Sequence, residues 1–212
     1  MPSSDDVAAL VAGIGPEKRG HAEREESDHA LAELAARRPD LVLPYWDILA
    51  GLLKSTNSFS QCAAANTLAV LAASKRCASL FGDVFDDFFG LLSTGKVMVA
   101  GKIAQLAGRL AVSRPEWEAD ITARLLSIGR GKLDPERADL VKGYAIEAFS
   151  EYWEKSSSRE AIAAFAANQF KKSRSPATKE RAAAFLARLA TAGPGTQEPN
   201  EPRTGTRDAP PR

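Results

Sequence analysis

Apolar residues recur at helical spacing along most of the chain, whereas the period-two alternation typical of strands is weak. Phe81, Phe85 and Phe88 fall at positions i, i+4 and i+7, so they share one face of a helix. Similar stripes occur near residues 117–128 and 182–189. The pattern predicts ten helices, at about 4–13, 17–37, 40–54, 58–73, 76–93, 96–112, 115–129, 135–155, 158–172 and 176–191.

Polar caps and prolines mark the helix starts. A serine followed three residues later by Glu or Gln predicts a capping box. An Asp or Ser directly before proline predicts an N-cap and the first helical residue. The starts of these two kinds are Ser58 with Gln61, Ser157 with Glu160, Asp134-Pro135 and Ser175-Pro176.

Every second predicted helix carries a similar apolar phrase. The phrases begin at Leu31, Leu68, Leu106, Ala148 and Phe185, so their spacing is 37 to 42 residues. One amphipathic helix pair cannot bury its own apolar face, but a stack of pairs forms a continuous core. The sequence therefore predicts an all-α protein, a right-handed α-α superhelix (solenoid) of about four to five helix pairs.

The repeated part also resembles a known class of proteins. The run from about Leu31 to Leu189 resembles HEAT-like (armadillo-type) helical repeats. Within it, Trp46–Phe59, Val84–Leu92 and Arg114–Trp117 are similar to segments of small prokaryotic HEAT-repeat proteins. The resemblance implies the fold of a helical solenoid and leaves the role open.

The pattern divides the chain into three parts. Residues 1–15 are expected to form a partly disordered N-terminal segment with a short helix, and residues 16–192 the HEAT-like repeat domain. Residues 193–212 are rich in proline and glycine and carry no apolar stripe, which predicts a disordered tail.

Net charge, the length of the apolar runs and the number of cysteines exclude several classes of function. The 28 basic and 27 acidic residues give a net charge of +1, which removes a whole-chain argument for binding nucleic acid or membranes. No apolar run approaches the roughly 18 residues of a membrane span, and the N-terminus lacks the pattern of a secretory signal. Cys62 and Cys77 lie in apolar surroundings, which favours free thiols over a disulfide. We expect a cytoplasmic protein.

Charge is unevenly distributed. Residues 1–40 carry a net charge of −4, and residues 156–192 carry +5. The basic segment suits a phosphate or an acidic protein surface, but cations at a helix end and on solvated faces are also ordinary. Its candidate partner-binding residues are Lys171, Lys172, Arg174, Lys179 and Arg181.

A second basic set falls on the second helix of each predicted pair. In stacked pairs these helices line the concave face, where such proteins bind partners. Scattered surface charge is the alternative explanation. The candidate basic stripe consists of Lys102, Arg109 and Lys142, with Gln61, Asn66 and Gln105 as possible polar contacts.

Catalytic and metal-binding patterns are weak. Asp83, Asp86 and Asp87 form a carboxylate cluster, but the phenylalanine stripe beside them places them on the exposed side of their helix. His21 and His29 are eight residues apart, too far for one metal ion. We expect no cofactor, no metal and no catalytic residues.

The three tryptophans, Trp46, Trp117 and Trp153, provide the most specific argument for an enzymatic function. Some HEAT-like proteins resemble DNA glycosylases that grip alkylated DNA with aromatic, acidic and basic side chains. The spacing here does not bring the tryptophans together, and core packing explains them more simply.

The sequence therefore favours a non-catalytic scaffold that binds an unidentified protein through its concave face. The alternative is a nucleic-acid-binding HEAT-like protein, with DNA-repair glycosylases as its candidate relatives. No membrane partner is expected, and the chain is expected to be a monomer or a weak homo-oligomer.

Overall fold

A computed structural model describes residues 3–17, 20–74 and 77–191. The regular structure within these ranges is helical throughout. The α-helices are α1 (Ser4–Gly13), α2 (His21–Arg37), α3 (Pro39–Val42), α4 (Trp46–Leu52), α5 (Ser58–Ala72), α6 (Ala78–Gly90), α7 (Val97–Ser113), α8 (Glu118–Leu126), α9 (Pro135–Tyr152), α10 (Arg159–Lys172) and α11 (Pro176–Thr191). The all-α prediction is confirmed.

One predicted helix is broken in the structure. The helix expected at 40–54 begins at Pro39 as α3, passes through a 3-10 turn at Leu43–Tyr45 and continues as α4. Pro44 lies in this turn, and a proline inside a helix lacks the N–H that would continue the α-helical ladder. Tighter 3-10 turns also extend α6 and α9 and precede α8.

Five helices pack side by side in chain order. Helix α2 contacts α5, α5 contacts α7, α7 contacts α9, and α9 contacts α11. We call α2, α5, α7, α9 and α11 the five-helix layer. Of the covering helices, α4 and α6 contact α5, α8 contacts α7 and α9, and α10 contacts α9 and α11. This arrangement places helices about 38 residues apart next to each other.

Small residues bring the layer helices close together. A side chain at Gly108 of α7 would lie 3.0 Å from the Cα of Ala148 and 2.6 Å from the carboxyl carbon of Glu151, both on α9. A side chain at Gly101 would lie 3.2 Å from the ring of Tyr144. The repeated glycine and alanine positions of α7 therefore set the separation between α7 and α9.

Aromatic side chains fill the space between α6 and α8. Phe81 and Phe88 are fully buried, as the stripe predicted. The ring of Trp117 stacks on Phe81 with centroids 5.3 Å apart, and it meets the edge of Phe85 at 5.9 Å. The tryptophan at the start of the α8 segment therefore joins two successive covering helices.

Hydrogen bonds that link distant parts of the described chain follow the same period. They join residues 30 to 42 positions apart. The buried Arg114 donates to the carbonyls of Ala72 and Ser74. Buried Glu118 accepts from the hydroxyls of Ser156 and Ser157. Each polar anchor thus ties one helix pair to the next.

The capping predictions are partly wrong. Asp134 caps α9, and the Ser175 hydroxyl accepts from the Thr178 N–H, as predicted. Helix α5, however, is capped by Asn57, whose side chain accepts two backbone N–H groups. Ser157 hydrogen bonds Glu118 and does not cap α10, whose N-cap is Ser158. A buried carboxylate is a better partner for that hydroxyl than an exposed helix end.

The described part of the N-terminal segment contains the helix α1, which packs on the rest of the structure. Ser3 and Asp6 form a capping box for α1, and Val7, Val11 and Ile14 are buried. Helix α1 contacts α2 and α3, so it extends the stack. The predicted tail at 193–212 lies outside the described residues.

Candidate functional site

One side of the five-helix layer bears two grooves. We call this side the open face. A groove of about 570 Å³ lies over α2, α5 and α7, and a second of about 420 Å³ reaches from α2 across α5 and α7 to α9. The covering helices α4, α6, α8 and α10 contribute no residue to either groove. The open face is therefore the place where the layer is left accessible.

Apolar side chains are exposed in the second groove. Met98 is 56% exposed and Leu140 is 42% exposed. Half-buried Phe59 and Tyr144 line the same groove. These residues lie outside the buried stripes of their helices, and that offset was the sequence signal that could have found them. Grouped exposed apolar residues of this kind are typical of interaction sites.

Lys102 and Arg109, two residues of the predicted basic stripe, lie on the open face. Lys102 lines the second groove and Arg109 the first. Their Cα atoms are two helical turns apart on α7, about 10 Å. Neither side chain has a hydrogen-bond or ion-pair partner among the described residues.

Arg181 also reaches this side of the layer, from α11. Its guanidinium lies 5.0 Å from the ring centroid of Tyr144 and forms an ion pair with Glu147. Arg188 donates to the carbonyl of Ser150 at 3.0 Å. Both arginines thereby join α11 to α9, and their charge is partly used within the fold.

Lys142 is not part of the basic stripe. Its Nζ donates to Asp139 at 3.0 Å, and both side chains are largely buried. The position is about 200° around α9 from Leu140, which lines the open face. The prediction is wrong because the choice of helix alone does not fix which side of it a residue occupies.

The ion pair with Asp139 accounts for the largely buried position of Lys142. The Asp139 carboxylate also accepts the backbone N–H of Arg174 at 2.7 Å. Burial by itself raises the pKa of Asp139, but the hydrogen bonds from Arg174, Lys142 and Ser173 outweigh it, and the pKa is lowered. Asp139 therefore stays charged and anchors the α10–α11 connection.

The remaining basic candidates lie apart from the two large grooves. Lys171, Lys172, Arg174 and Lys179 are exposed near the α10–α11 connection, and none of them lines a described groove. The eight candidates thus separate into an open-face group, an internal lysine and this exposed basic edge.

The three candidate polar contacts of the basic stripe also lie in different surroundings. Gln105 is exposed on the open face, and the amide of Asn66 donates to Asp28 at 3.2 Å. Gln61 is buried, donates to the carbonyl of Leu53 and accepts from Lys96 Nζ. Gln61 therefore holds the start of α5 in place and takes no part in the open face.

The three tryptophans pack against other side chains, and two aspartates of the carboxylate cluster form ion pairs. Trp46 is buried, Trp117 packs against Phe81, and Trp153 meets the edge of Phe185 with centroids 5.3 Å apart. Asp86 and Asp87 are exposed and form ion pairs with Arg124 and Lys54. Among the described residues no group of three or more His, Cys, Asp or Glu side chains is placed to hold a metal ion.

A third cavity of about 310 Å³ opens where α7 and α9 end. Glu118, Glu151 and Glu154 line it together with Tyr152. Burial raises the pKa of Glu151, and the charge of Arg109 opposes that rise. Burial also raises the pKa of Tyr152, whose hydroxyl lies 2.8 Å from Thr122. The oxygens of Glu118 are used within the fold.

Cys62 lines the second groove together with Lys102 and Asp28. Burial raises the pKa of its thiol to about 11. The thiolate is the reactive form of cysteine, so Cys62 is a poor nucleophile at neutral pH.

Comparison with protein-family models gives no match, and comparison with curated proteins finds none that is similar to this chain. None of the helices in the described ranges is long and apolar enough to cross a membrane.

Proposed function

We propose that this protein is a non-catalytic helical-repeat scaffold, a right-handed HEAT-like solenoid that binds another protein through its open face. The observation that carries the proposal is the apolar cluster on that face, in which Met98 and Leu140 are exposed and Phe59 and Tyr144 are half-buried. The sequential contacts of the five-helix layer support the solenoid. The proposal places the protein in the reducing cytoplasm, with an unidentified protein as its partner.

The alternative, nucleic-acid binding, has less support. Arg181 and Lys142 are paired with carboxylates, and Asp28 lies in the same groove as Lys102. A nucleic-acid surface gains its affinity from many unpaired cations facing phosphates. The exposed basic edge of Lys171, Lys172, Arg174 and Lys179 is the feature that keeps this alternative testable.

The test is affinity capture from a lysate of the source cells, with nuclease added. We expect a discrete protein to be retained by the wild type and lost roughly tenfold with M98E/L140E, because charges replace the apolar contacts. The matched control is I48E/F170E, which changes two similarly exposed apolar residues on covering helices and should retain the partner.

Two results would contradict the scaffold proposal. One is a captured protein that binds M98E/L140E as well as it binds the wild type. The other is capture of nucleic acid that nuclease removes and that K171E/K172E abolishes, which would favour the alternative. Circular dichroism of each variant checks that the fold is retained.

A further inference from the structure

The open face contains a trough along α5. Its floor consists of Cys62, Asn66, Ala69 and Ala73, which are spaced i, i+4, i+7 and i+11 and so share one side of α5. These side chains are short. The neighbouring helices α2 and α7 form the walls, and the two grooves follow one another along α5, with Asn66 between them.

The dimensions suit a helix. From Phe59 to Ala73 the trough follows α5 for 14 residues, which is about 21 Å at 1.5 Å per residue. Packed helices lie 8–10 Å apart, and small side chains at the contact allow the closest approach. A partner helix of about four turns would therefore fill the trough and pack on α5 as the layer helices pack on each other.

The apolar lining of the trough predicts that the partner helix has an apolar side. Ala36, Val70 and Leu106 line the larger groove, and exposed Met98 lies in the second groove. Amphipathic helices bind such grooves through apolar residues at i, i+3 or i+4, and i+7. The smaller side chains of the floor leave room for leucine-sized residues.

The charged residues on the walls of the trough predict which charges the partner helix carries along its sides. On the α7 wall, Lys102 and Arg109 are seven residues apart and have no ion-pair partner among the described residues. The charge of Arg109 influences Glu151, but the two groups do not form an ion pair within the described structure. On the α2 side, Asp28 accepts from Asn66 and carries the opposite charge.

Other cations that link neighbouring helix pairs are already paired. Lys54 forms an ion pair with Asp87 at 2.9 Å, and Arg124 forms one with Asp86. Lys102 thus differs from Lys54 and Arg124 in having no carboxylate partner in the described structure. A negative partner surface along the α7 wall would complete the charge pairing.

From this geometry we propose that the trough binds an amphipathic α-helix of a partner protein, with an apolar side on α5 and two acidic residues, seven apart, facing Lys102 and Arg109. The inference rests on the scaffold function and names the chemistry of its partner. Nucleic acid is the less suitable occupant, because Asp28 would repel phosphates and the trough is lined mainly by apolar side chains.

The test uses an mRNA-display library of helical peptides of about 16 residues, selected on the full-length protein. We expect enriched peptides with an apolar stripe and Asp or Glu at i and i+7. Their affinity should fall at least about tenfold with K102E/R109E, and with A73W, which fills the end of the trough. K171E/K172E is the matched control, because it makes the same charge change on the exposed basic edge.

A charge swap separates direct pairing from a structural effect. Peptides whose two acids are replaced by Lys should bind K102E/R109E more tightly than they bind the wild type. Enrichment without the acidic pair, or binding that M98E/L140E abolishes and K102E/R109E leaves intact, would overturn the acidic-helix proposal and leave the scaffold function standing. Binders insensitive to every open-face variant, an unenriched library, or preferential binding of single-stranded DNA at the trough would overturn it as well.

Discussion

Buried carboxylates accept hydrogen bonds that connect successive helix pairs. Glu118 is 8% exposed and accepts hydrogen bonds from Thr122, Ser156 and Ser157. Burial by itself raises the pKa of Glu118, but these hydrogen bonds outweigh it and the pKa falls below its ordinary value of 4.5. The charged form is therefore the one that the fold stabilises.

Replacing Glu118 by Gln should lower the free energy of unfolding by about 1–3 kcal/mol at pH 7, because a neutral amide has one oxygen acceptor in place of two. A group with a depressed pKa contributes stability above its unfolded value, here 4.5, and loses it as the pH falls through the folded pKa. The difference between wild type and E118Q should thus shrink below that pH. Urea denaturation at a series of pH values measures both effects.

The control for this prediction is E116Q, which changes an exposed carboxylate 3.8 Å from Arg114. It should alter stability by less than about 1 kcal/mol. A difference between wild type and E118Q that stays constant from pH 7 to acid conditions would show that the charge of Glu118 is not what the hydrogen bonds stabilise.

At the scale of the element, two glycines in helices have opposite surroundings. A side chain at Gly108 would meet Glu151 and the backbone of α9, whereas nothing lies within 4 Å of a side chain at Gly82 in α6. Helix propensity favours alanine over glycine by about 1 kcal/mol at both positions. Tertiary packing therefore decides the sign of the same substitution.

We expect G82A to raise the free energy of unfolding by about 0.5–1 kcal/mol. G108A should lower it by about 1–3 kcal/mol, because α7 and α9 must move apart to accommodate the methyl group. Thermal and urea unfolding of the two variants provide the comparison. Stabilisation by G108A would mean that the α7–α9 contact is looser than the structure indicates.

At the scale of the molecule, the layer helices contact their neighbours in chain order. In such an array stability is approximately the sum of the units and of their nearest-neighbour interfaces. A defect at one end should consequently affect that end most. Phe185 on α11 suits a test, since it is 3% exposed and packs against Trp153.

F185A should destabilise the C-terminal pair by about 3–5 kcal/mol, the usual cost of removing a buried phenyl ring. Hydrogen exchange followed by mass spectrometry should show faster exchange in α10 and α11, while α5 keeps its protection. Equal acceleration along the whole chain would instead indicate a single cooperative unit.

Much of the fold follows from the sequence, because apolar spacing is a local property. The stripe of Phe81, Phe85 and Phe88 predicted α6, and Asp134 with Pro135 marked the start of α9. Local pattern failed where a distant partner competed for the same group. Ser157 has the spacing of a capping box but hydrogen bonds Glu118, 39 residues earlier.

The sequence by itself determined most of the helices, because apolar spacing along a helix is a local property. Only the tertiary structure decided which charges share a surface. Lys102 and Lys142 both lie on second helices, yet one faces the open side and the other is held by Asp139. The trough exists because α2, α5 and α7 meet over a floor of short side chains, and that meeting depends on contacts between segments far apart in the chain.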